Sequence, residues 1–520
     1  MFQQVIPLKG NFFIHQLWEY IVSKLEGRVM NYYILVFVSI FALIFLYIIA
    51  KIRSKKLPPG PSPWPIIGNF HLLGAKPHVS LANLAKNYGP IMSLKIGQMT
   101  TVVISSSTIA KQVLKNQDEA FSSRFIPNVV QAHNYSKFSM VWLPVCPQWR
   151  MLRRILNTKM VSPHSLDANQ HLRSQKVKEM IAYCEKCSQQ GEALDVSQVA
   201  FKTILNLLSH TLFSKDLANT SSDSKVDELK EVIWRIMNEV GKINLVDFFP
   251  ILEKIDFQGI RCRATIHIGK LFELFDGLIN ERLEEKRRGC YGKSDVLEVL
   301  LNAENTEEID QNHIKSMLLD LFIGGFDTTT NTLEWAMSET LGQPEIMKKA
   351  QAELAQVVGK GKSIQEADIS RLPYLQFIVK ETLRMHPPAP FLIPRRVDHD
   401  VKLFDYIIPK GSLVLVNVWA ICRDSTFWEE PLIFKPERFQ SLELDVRGKY
   451  FELIPFGAGR RICPGLPLEL RMVHVMLGSM LNSFNWKLKA GIDPKDLDMD
   501  EKFGFITPKA HPLRVIPSPI

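Results

Sequence analysis

One cysteine near the C-terminus has the surroundings of a metal-binding thiolate. Cys463 lies in the segment 456–465, FGAGRRICPG, a glycine-rich loop followed by the mostly apolar run 466–470. Such a loop can turn tightly and can direct backbone N–H groups at the sulfur. A helix that begins near Pro464 would aim its positive end at the same atom. Both effects favour a thiolate, the form of cysteine that binds iron. A lone cysteine in a turn is more often a buried structural residue, so the interpretation as a ligand depends on the spacing of the whole segment.

A second group of reactive side chains lies in the stretch 314–341, whose apolar residues have helical spacing. This stretch contains GGFDTT at 324–329. Two adjacent glycines inside a helix cost on the order of 1 kcal/mol each, and a flat ligand close to the backbone would justify that cost. Asp327 and Thr328 place an acid beside an alcohol, which suits proton transfer to bound oxygen. By itself, the stretch also fits a kinked helix with ordinary polar groups.

Both segments resemble motifs of one enzyme family. The spacing Phe-x-x-Gly-x-Arg-x-Cys-x-Gly resembles the haem-binding loop of the cytochromes P-450, the haem-thiolate monooxygenases, and 324–329 resembles their Ala/Gly-Gly-x-Asp/Glu-Thr-Thr motif. The resemblance implies a haem b whose iron is bound by Cys463, with Phe456 beside it. It also implies that Asp327 and Thr328 are catalytic residues for O2, and it favours oxygen activation over the related isomerases and dehydratases.

Further motifs of the same family imply a scaffold around the haem. Glu381 and Arg384 lie three residues apart, as in the Glu-x-x-Arg motif, and Arg438 stands in the segment PERF that joins them. A surface pair of this kind contributes well under 1 kcal/mol, whereas removing one member of a buried network costs about 3–5 kcal/mol. The resemblance further implies five groups that bind the haem propionates: Trp149 and Arg153 of a Trp-x-x-x-Arg helix, Arg124, Arg395 and Arg461.

Composition limits the class of protein and its partners. The chain has 520 residues, of which 46% are hydrophobic, so a large core is available. The formal net charge is +9, but the basic residues are spread along the chain, which favours a membrane surface and an acidic protein partner over nucleic acid. Seven dispersed cysteines argue against a disulfide framework and for a reducing compartment.

An apolar segment near the N-terminus predicts a membrane anchor. The segment 31–50 contains no charged residue and is long enough to cross a bilayer as a helix. Lys51, Arg53, Lys55 and Lys56 follow it, which predicts a cytosolic catalytic domain on a single-pass protein of the endoplasmic reticulum membrane. Met30 directly precedes the segment and is a candidate for the true start of the chain. The predicted segments are an N-terminal extension (1–29), a transmembrane anchor (30–50), a basic and proline-rich hinge (51–65) and the monooxygenase domain (66–520).

The rest of the chain predicts many helices and little sheet. Apolar spacing predicts helices over 226–240, 266–283 and 314–341, whereas the charged segment 284–295 predicts a surface loop. Short strands are expected at 91–96, 101–105 and 413–417. Together with the resemblance, this pattern predicts a mainly α cytochrome P-450 fold with small β-sheets.

The resemblance is closest to the plant microsomal branch that contains the geraniol 8-hydroxylases, and the segments 138–144, 246–250 and 494–504 carry it. It implies electrons from NADPH-cytochrome P-450 reductase, so that NADPH acts only indirectly, and O2 as co-substrate. It implies a small lipophilic substrate, geraniol or nerol, oxidised at the terminal allylic methyl group (the 8-position) in terpenoid and iridoid biosynthesis. The predicted pocket residues are Phe326, Phe391, Leu392, Ile393, Phe505 and Ile506.

Two departures from those relatives keep other substrates open. Gly324 and Phe326 stand in the oxygen-activating motif where those relatives have alanine and threonine. The segment 505–508, FITP, differs from theirs in the last turn of the pocket. Another terpenoid or a small phenolic is therefore the alternative substrate. A non-catalytic haem-binding membrane protein is the remote alternative, and the intact cysteine loop and the Asp327–Thr328 pair argue against it.

Overall fold

The computed structural model describes residues 57–218, 223–252, 255–289, 295–304, 309–489 and 492–520, together with parts of 15–20 and 32–42. Most of the predicted extension and anchor, and the basic part of the hinge at 51–56, lie outside these described residues. The chain divides into one compact unit of 1–57 with 404–407 and a second of 58–403 with 408–520. Within the described residues, no helix combines the length and the apolar character that crossing a membrane requires.

Helices make up most of the larger unit, as the sequence predicts. Those of the described residues are α1 (Pro77–Tyr88), α2 (Ser107–Lys111), α3 (Pro147–Lys159), α4 (Pro163–Ala168), α5 (Gln170–Gln190), α6 (Val196–Phe213), α7 (Asp223–Gly241), α8 (Leu245–Phe248), α9 (Ile260–Arg287), α10 (Val296–Glu304), α11 (Gln311–Gly342), α12 (Pro344–Val357), α13 (Pro373–Met385), α14 (Val418–Ile421), α15 (Arg438–Ser441) and α16 (Leu466–Ser483).

The periodic segments became α7, α9 and α11, each a few residues longer than predicted. α11 begins three residues before the predicted start, because the Asp310 side chain and the backbone of His313 form a capping box there. The prediction of a loop from residue 284 is wrong at its start, since α9 continues to Arg287. Glu, Lys and Arg are good helix formers, so a charged stretch can extend a helix into solvent.

The strands are short and form small sheets. They are β1 (Ile91–Ile96), β2 (Met99–Ile104), β3 (Leu194–Asp195), β4 (Arg395–Arg396), β5 (Val401–Leu403), β6 (Tyr406–Ile408), β7 (Leu413–Val416), β8 (Phe484–Leu488) and β9 (Arg514–Pro519). One sheet has the order β1-β2-β7-β4, in which β1 and β2 are antiparallel and β2 and β7 are parallel. Another has the order β3-β9-β8. The three predicted strands are β1, β2 and β7, displaced by at most two residues at an end.

The long helix α11 lies at the centre of the larger unit. It packs against α6, α9, α13 and α16, and nearly all of its C-terminal half is buried. The cysteine loop leads directly into α16. Packing of α16 on α11 therefore brings together the two motifs that the sequence singles out.

Candidate functional site

A cavity of about 270 Å³ lies between α11 and the cysteine loop. Cys463 and Phe456 line it from the loop, and Gly324 and Thr328 line it from α11. Most of the remaining wall is apolar, which suits a lipophilic ligand. The cavity thus brings the predicted iron ligand and the predicted alcohol to one space.

The cysteine loop has the tight turns that its glycines allow. Gly457 and Gly459 have φ values of 71° and 69°, in the left-handed region that disfavours other residues. A Cβ on Gly459 would lie 1.9 Å from the carbonyl oxygen of Leu114. The Cys463 N–H donates to the Phe456 carbonyl oxygen at 2.9 Å, which closes the loop. The loop therefore holds the sulfur at a defined place in the cavity wall.

The electrostatics of the sulfur differ from the prediction. Burial is the main cause that raises the pKa of the Cys463 thiol to about 11, and Glu469 adds to it when ionised, although backbone groups of Gly465 and Leu466 and the charge of Arg153 act to lower it. The loop by itself does not produce a low pKa, because the cost of burying a charge exceeds the stabilisation by two amides. A bound metal cation deprotonates a coordinating thiol outright, so a thiolate here depends on the metal.

Four arginines that the resemblance assigned to the propionates meet at one end of the cavity. Arg124, Arg153, Arg395 and Arg461 all contribute to its lining, and Trp149 lies among them. The Arg461 guanidinium lies 4.8 Å from the centre of the Trp149 ring. Elements that are far apart in the sequence supply these side chains. Trp149 and Arg153 belong to α3, Arg395 to β4, Arg461 to the cysteine loop, and Arg124 to the connection between α2 and α3.

The four guanidiniums donate to backbone carbonyls instead of carboxylates. Arg124 donates to Ile393 at 2.8 Å, Arg395 to Phe121 at 2.8 Å, Arg153 to Ile462 at 2.8 Å and Arg461 to Ser122 at 3.1 Å. Burial lowers the pKa of Arg395 and of Arg461 to about 10, and repulsion from the other arginines adds to the effect at Arg124 and Arg461.

This cluster is short of negative charge. Asp118, whose charge reaches Arg395, forms its ion pair with Arg460 at 3.0 Å. The buried Nε atoms of Arg124 and Arg395 have no hydrogen-bond partner in the described part of the chain. Buried cations without counter-charges are costly, so the cluster fits a ligand that carries two acidic groups. A haem fits both parts of the cavity, since its two propionates would supply negative charge to the arginines and its iron would supply the metal for Cys463.

The acid and the alcohol of α11 face different surroundings. Thr328 lines the cavity, and its Oγ1 donates to the Gly324 carbonyl oxygen at 2.9 Å. Asp327 is partly buried and lies outside the lining. Burial raises the pKa of Asp327 to about 6, and the charge of Lys230 on α7 acts against the rise. Thr328 thus faces the cavity, whereas Asp327 lies outside its lining, where the charge of Lys230 reaches it.

The two glycines of α11 have different roles. A Cβ on Gly324 would meet nothing within 4 Å, so this position opens on the cavity as predicted. A Cβ on Gly325 would lie 2.5 Å from Cδ1 of Leu208. Gly325 therefore allows Leu208 of α6 to pack closely on α11, and a larger residue there would force that side chain to shift.

The predicted lock is assembled and fully buried. Arg384 donates to the two carboxylate oxygens of Glu381 at 2.7 and 2.8 Å, and Arg438 donates to one of them at 2.9 Å. Arg384 also donates to the carbonyl oxygens of Cys422 at 2.7 Å and Pro431 at 2.8 Å. Every charge is thus hydrogen-bonded, which a buried ionic network requires.

Four of the six predicted pocket residues line the cavity: Leu392, Ile393, Phe505 and Ile506. Phe326 does not, and its ring packs on Phe201 at 5.4 Å and on Phe322 at 5.0 Å. The physical reason is the helical period, because two residues beyond Gly324 correspond to roughly 200° of rotation, away from the cavity. This placement corrects the expectation that Phe326 shapes the pocket.

Phe391 is the other pocket residue that the structure places elsewhere. Its ring lies against His78 at 6.4 Å and Phe503 at 6.3 Å, outside the lining. The chain turns at Leu392, which has a φ of 55°, so neighbouring side chains point in different directions. An apolar run does not by itself show which of its members face a cavity.

Two acidic residues of the lining were missed by the sequence reasoning. Asp320 accepts hydrogen bonds from Ser139 Oγ at 2.6 Å, from Met140 N at 2.8 Å and from the Tyr135 hydroxyl. Burial raises its pKa to about 6. It thereby holds the segment whose carbonyls at Met140 and Leu143 accept from Arg461.

Glu469 on α16 is the second missed residue. For both, the available signal was a lone acid in an apolar helical stretch.

Comparison with known proteins adds the relatives of the chain. Residues 58–513 match the family model described as cytochrome P450. A geraniol 8-hydroxylase of Catharanthus roseus is 62% identical over 493 residues, which cover 94% of this chain and 100% of the relative. A geraniol 8-hydroxylase of Swertia mussotii is 62% identical over 471 residues, 90% of this chain and 94% of the relative. A geranylhydroquinone 3''-hydroxylase of Arnebia euchroma is 51% identical over 471 residues, 90% of this chain and 95% of the relative.

Proposed function

This chain belongs to the cytochrome P450 family, and we propose that it hydroxylates geraniol or nerol at the terminal allylic methyl group, the 8-position, in terpenoid and iridoid biosynthesis. The observation that carries the proposal is the 62% identity to two geraniol 8-hydroxylases over at least 90% of the chain. The predominantly apolar cavity that contains Cys463 and Thr328 supports it, since a monoterpene needs apolar walls beside the reacting atoms.

The residues of the cavity fit haem as the cofactor. Cys463 would bind the iron, Phe456 would lie beside the ring, and Arg124, Trp149, Arg153, Arg395 and Arg461 would bind the propionates. When bound, the haem iron supplies the binding and reductive activation of O2. The buried guanidiniums gain the counter-charges that the cluster otherwise lacks.

Thr328 and Asp327 would donate and transfer protons at this site. The Thr328 Oγ1 hydrogen is held on the Gly324 carbonyl oxygen and can be redirected into the cavity by rotation of one side-chain bond. Asp327, whose pKa is raised to about 6 by burial, can exchange a proton near neutral pH. Its position outside the lining allows it to resupply Thr328 from the side of Lys230.

Apolar side chains would position the substrate. Leu208 and Ile204 from α6 face the cavity, as do Leu392, Phe505 and Ile506. These groups exclude water and leave few hydrogen-bonding partners for an isoprenoid chain, so shape selects which methyl group lies near Thr328.

The cellular setting is part of the same proposal. Electrons from NADPH would arrive through NADPH-cytochrome P-450 reductase, an acidic flavoprotein attracted by the basic character of this chain. The uncharged segment 31–50 and the basic residues after it support a single-pass anchor in the endoplasmic reticulum membrane with a cytosolic catalytic domain.

A second candidate substrate is another terpenoid or a small phenolic. The geranylhydroquinone 3''-hydroxylase, 51% identical, favours it because the name of that relative combines a geranyl chain with a phenol. Competition between geraniol and a geranylated phenol separates the two candidates.

The test is product analysis in microsomes that contain this protein, the reductase and NADPH, supplied with geraniol, nerol or a geranylated phenol. We expect an 8-hydroxylated monoterpene alcohol, together with a ferrous–CO band at the position typical of a thiolate ligand. The Cys463→Ser variant serves as the control, and both the band and the product should disappear. A normal band with no monoterpene product would reject the substrate and retain the monooxygenase.

A further inference from the structure

Glu469 is a buried acid in the wall of the cofactor cavity. It lies in the first turn of α16, six residues after Cys463, and contributes to the same lining as Cys463 and Met472. Only 8% of its surface is exposed. Within the described residues, no basic side chain acts on its carboxyl group, although buried carboxylates normally have such a partner.

A side-chain hydrogen bond of Glu469, the one it forms with the described part of the chain, joins two helices. Glu469 Oε1 lies 3.3 Å from Oγ1 of Thr332, which is on α11 one turn after Thr328. The same Thr332 hydroxyl donates to the Thr328 carbonyl oxygen at 2.9 Å. A hydroxyl has a single proton, and the shorter contact is the common bond of threonine to the carbonyl four residues before it.

The proton count at Thr332 determines which group donates to which. The Thr332 hydroxyl is placed to donate to either acceptor, at 2.9 Å to Thr328 and 3.3 Å to Glu469, but its single proton can serve only one of them fully. With the proton on the nearer Thr328 carbonyl oxygen, the contact with Glu469 is a hydrogen bond only if the glutamate donates. An ionised carboxylate has no proton to donate and would face a lone pair of the hydroxyl oxygen. The shorter contact to Thr328 therefore favours the acid form of Glu469.

We propose that Glu469 is a neutral carboxylic acid that donates a hydrogen bond to Thr332, and that this bond positions the helix after the haem-binding cysteine against the helix that carries Thr328. The role is that of a positioning residue, because Glu469 acts through Thr332 and through α16. Burial raises the pKa of Glu469 to about 7, which agrees with the acid form, although a hydrogen bond donated by Thr332 acts to lower it. The inference rests on the haem site of the proposed function but not on the proposed substrate.

If Glu469 is neutral, the substitutions Glu469→Gln and Glu469→Met should have different effects on the haem reduction potential. If it were ionised, both would remove a negative charge and act in the same direction. Glu469→Gln keeps a neutral donor of similar shape, so we expect the haem reduction potential to equal that of the unmodified enzyme. Glu469→Met keeps the volume but removes the polar group. The ferrous site carries one more negative charge than the ferric site, and an apolar wall stabilises that charge less, so E469M should lower the potential.

The experiment is a spectroelectrochemical titration of the purified holoenzymes without substrate, with the ferrous–CO spectrum recorded for each. Glu334→Gln is the matched control, because Glu334 is also a buried acid with a raised pKa but lies on α11 outside the cavity lining. An unchanged potential in E469Q and E334Q with a lower one in E469M is the expected result. A higher potential in E469Q would show an ionised carboxylate and overturn the proposal, as would identical potentials in all variants.

A second variant keeps the test decisive if E469M does not bind haem. Thr332→Val removes the acceptor and leaves the acid in place. We expect it to raise the H2O2 released per NADPH in the absence of substrate, since Thr328 loses a contact on the next turn of its helix. The double variant E469Q/T332V should release no more H2O2 than T332V, and an additive rise would overturn the coupling. None of these measurements uses geraniol, so failure of the proposed substrate is recognised separately.

Discussion

The guanidinium of Arg153 donates to the carbonyl oxygen of Ile462 at 2.8 Å, which ties the α3 helix to the residue immediately before Cys463. One side chain therefore orders the loop that presents the sulfur and also contributes a positive charge to the cavity. Loss of Arg153 should thus affect both the iron ligand and the acidic groups of the cofactor.

The substitution Arg153→Gln tests this double role. Charge-assisted hydrogen bonds contribute about 1.5–3 kcal/mol, so haem affinity should fall roughly ten- to a hundred-fold. Haem transfer to an apo-globin acceptor measures the change. Arg154→Gln, at an exposed position on the same helix, is the control and should leave the transfer rate unchanged. Equal rates for R153Q and the unmodified enzyme would contradict a role of Arg153 in cofactor binding.

The lock around Glu381 predicts a large loss of stability. Arg438→Met removes one of the two guanidiniums that compensate the charge of the buried Glu381 carboxylate, and leaves that carboxylate with Arg384 as its one charged donor among the described residues. The free energy of unfolding should therefore fall by about 3–5 kcal/mol. Urea denaturation followed by the haem spectrum gives the comparison. Glu437→Gln, one residue earlier, breaks an ion pair with Lys349 at the surface and should cost under about 1 kcal/mol. Similar costs for both variants would show that the lock does not stabilise the fold.

The aromatic residues Phe326 and Phe505 should differ in their effect on products. Phe505→Leu replaces a ring in the cavity wall by a smaller side chain and so enlarges the cavity. We expect a changed ratio of hydroxylated products or a higher KM for geraniol. Phe326→Leu disturbs only the cluster with Phe201 and Phe322, so it should lower the melting temperature and leave the product ratio unchanged. Gas chromatography of the products from both variants decides the matter. A product ratio altered by F326L alone would mean that Phe326 does face the substrate.

The raised pKa of Asp327 predicts a pH-dependent stability. A carboxyl whose pKa is raised from 3.8 to about 6 in the folded state destabilises that state by up to about 3 kcal/mol once the pH exceeds the folded pKa. This penalty shrinks as the pH falls below 6 and disappears only below the unfolded pKa of 3.8, where the group is protonated in both states. Asp327→Asn should therefore melt at a higher temperature than the unmodified enzyme at pH 7.5, and the difference should shrink at pH 4.5.

Asp276→Asn, at an aspartate with 46% of its side chain exposed, serves as the control for this pH series. A melting temperature of D327N that does not exceed the unmodified value at pH 7.5 would contradict the burial of a charge at Asp327. Product formation by D327N should fall under all conditions, because the variant cannot donate a proton to Thr328.

Periodicity and motif spacing predicted most of the elements and the chemical types of the site. The helix α11 was expected over 314–341 and spans 311–342, and β1 occupies 91–96 as predicted. These elements follow from local patterns, because the side-chain period of a helix or strand is a property of the backbone. The pairing of Glu381 with Arg384 follows from the same local pattern, since the two stand one turn apart on α13, whereas the buried lock that includes Arg438 was implied by the resemblance to the family.

Side-chain direction and long-range partners could not be read from the sequence in this way. The helical period places Phe326 and Thr328 on different faces of α11, but which of these faces meets the cavity depends on how α6 and α16 surround the helix. The backbone partners of the arginine cluster and the contact between Glu469 and Thr332 join segments that are distant in the chain. Burial and proton sharing arise only when such segments pack together. The sequence alone thus determined which reactive groups exist and which elements carry them, while the tertiary packing decided which of them face the cavity and with what charge, because desolvation and hydrogen-bond partners are properties of the assembled interior.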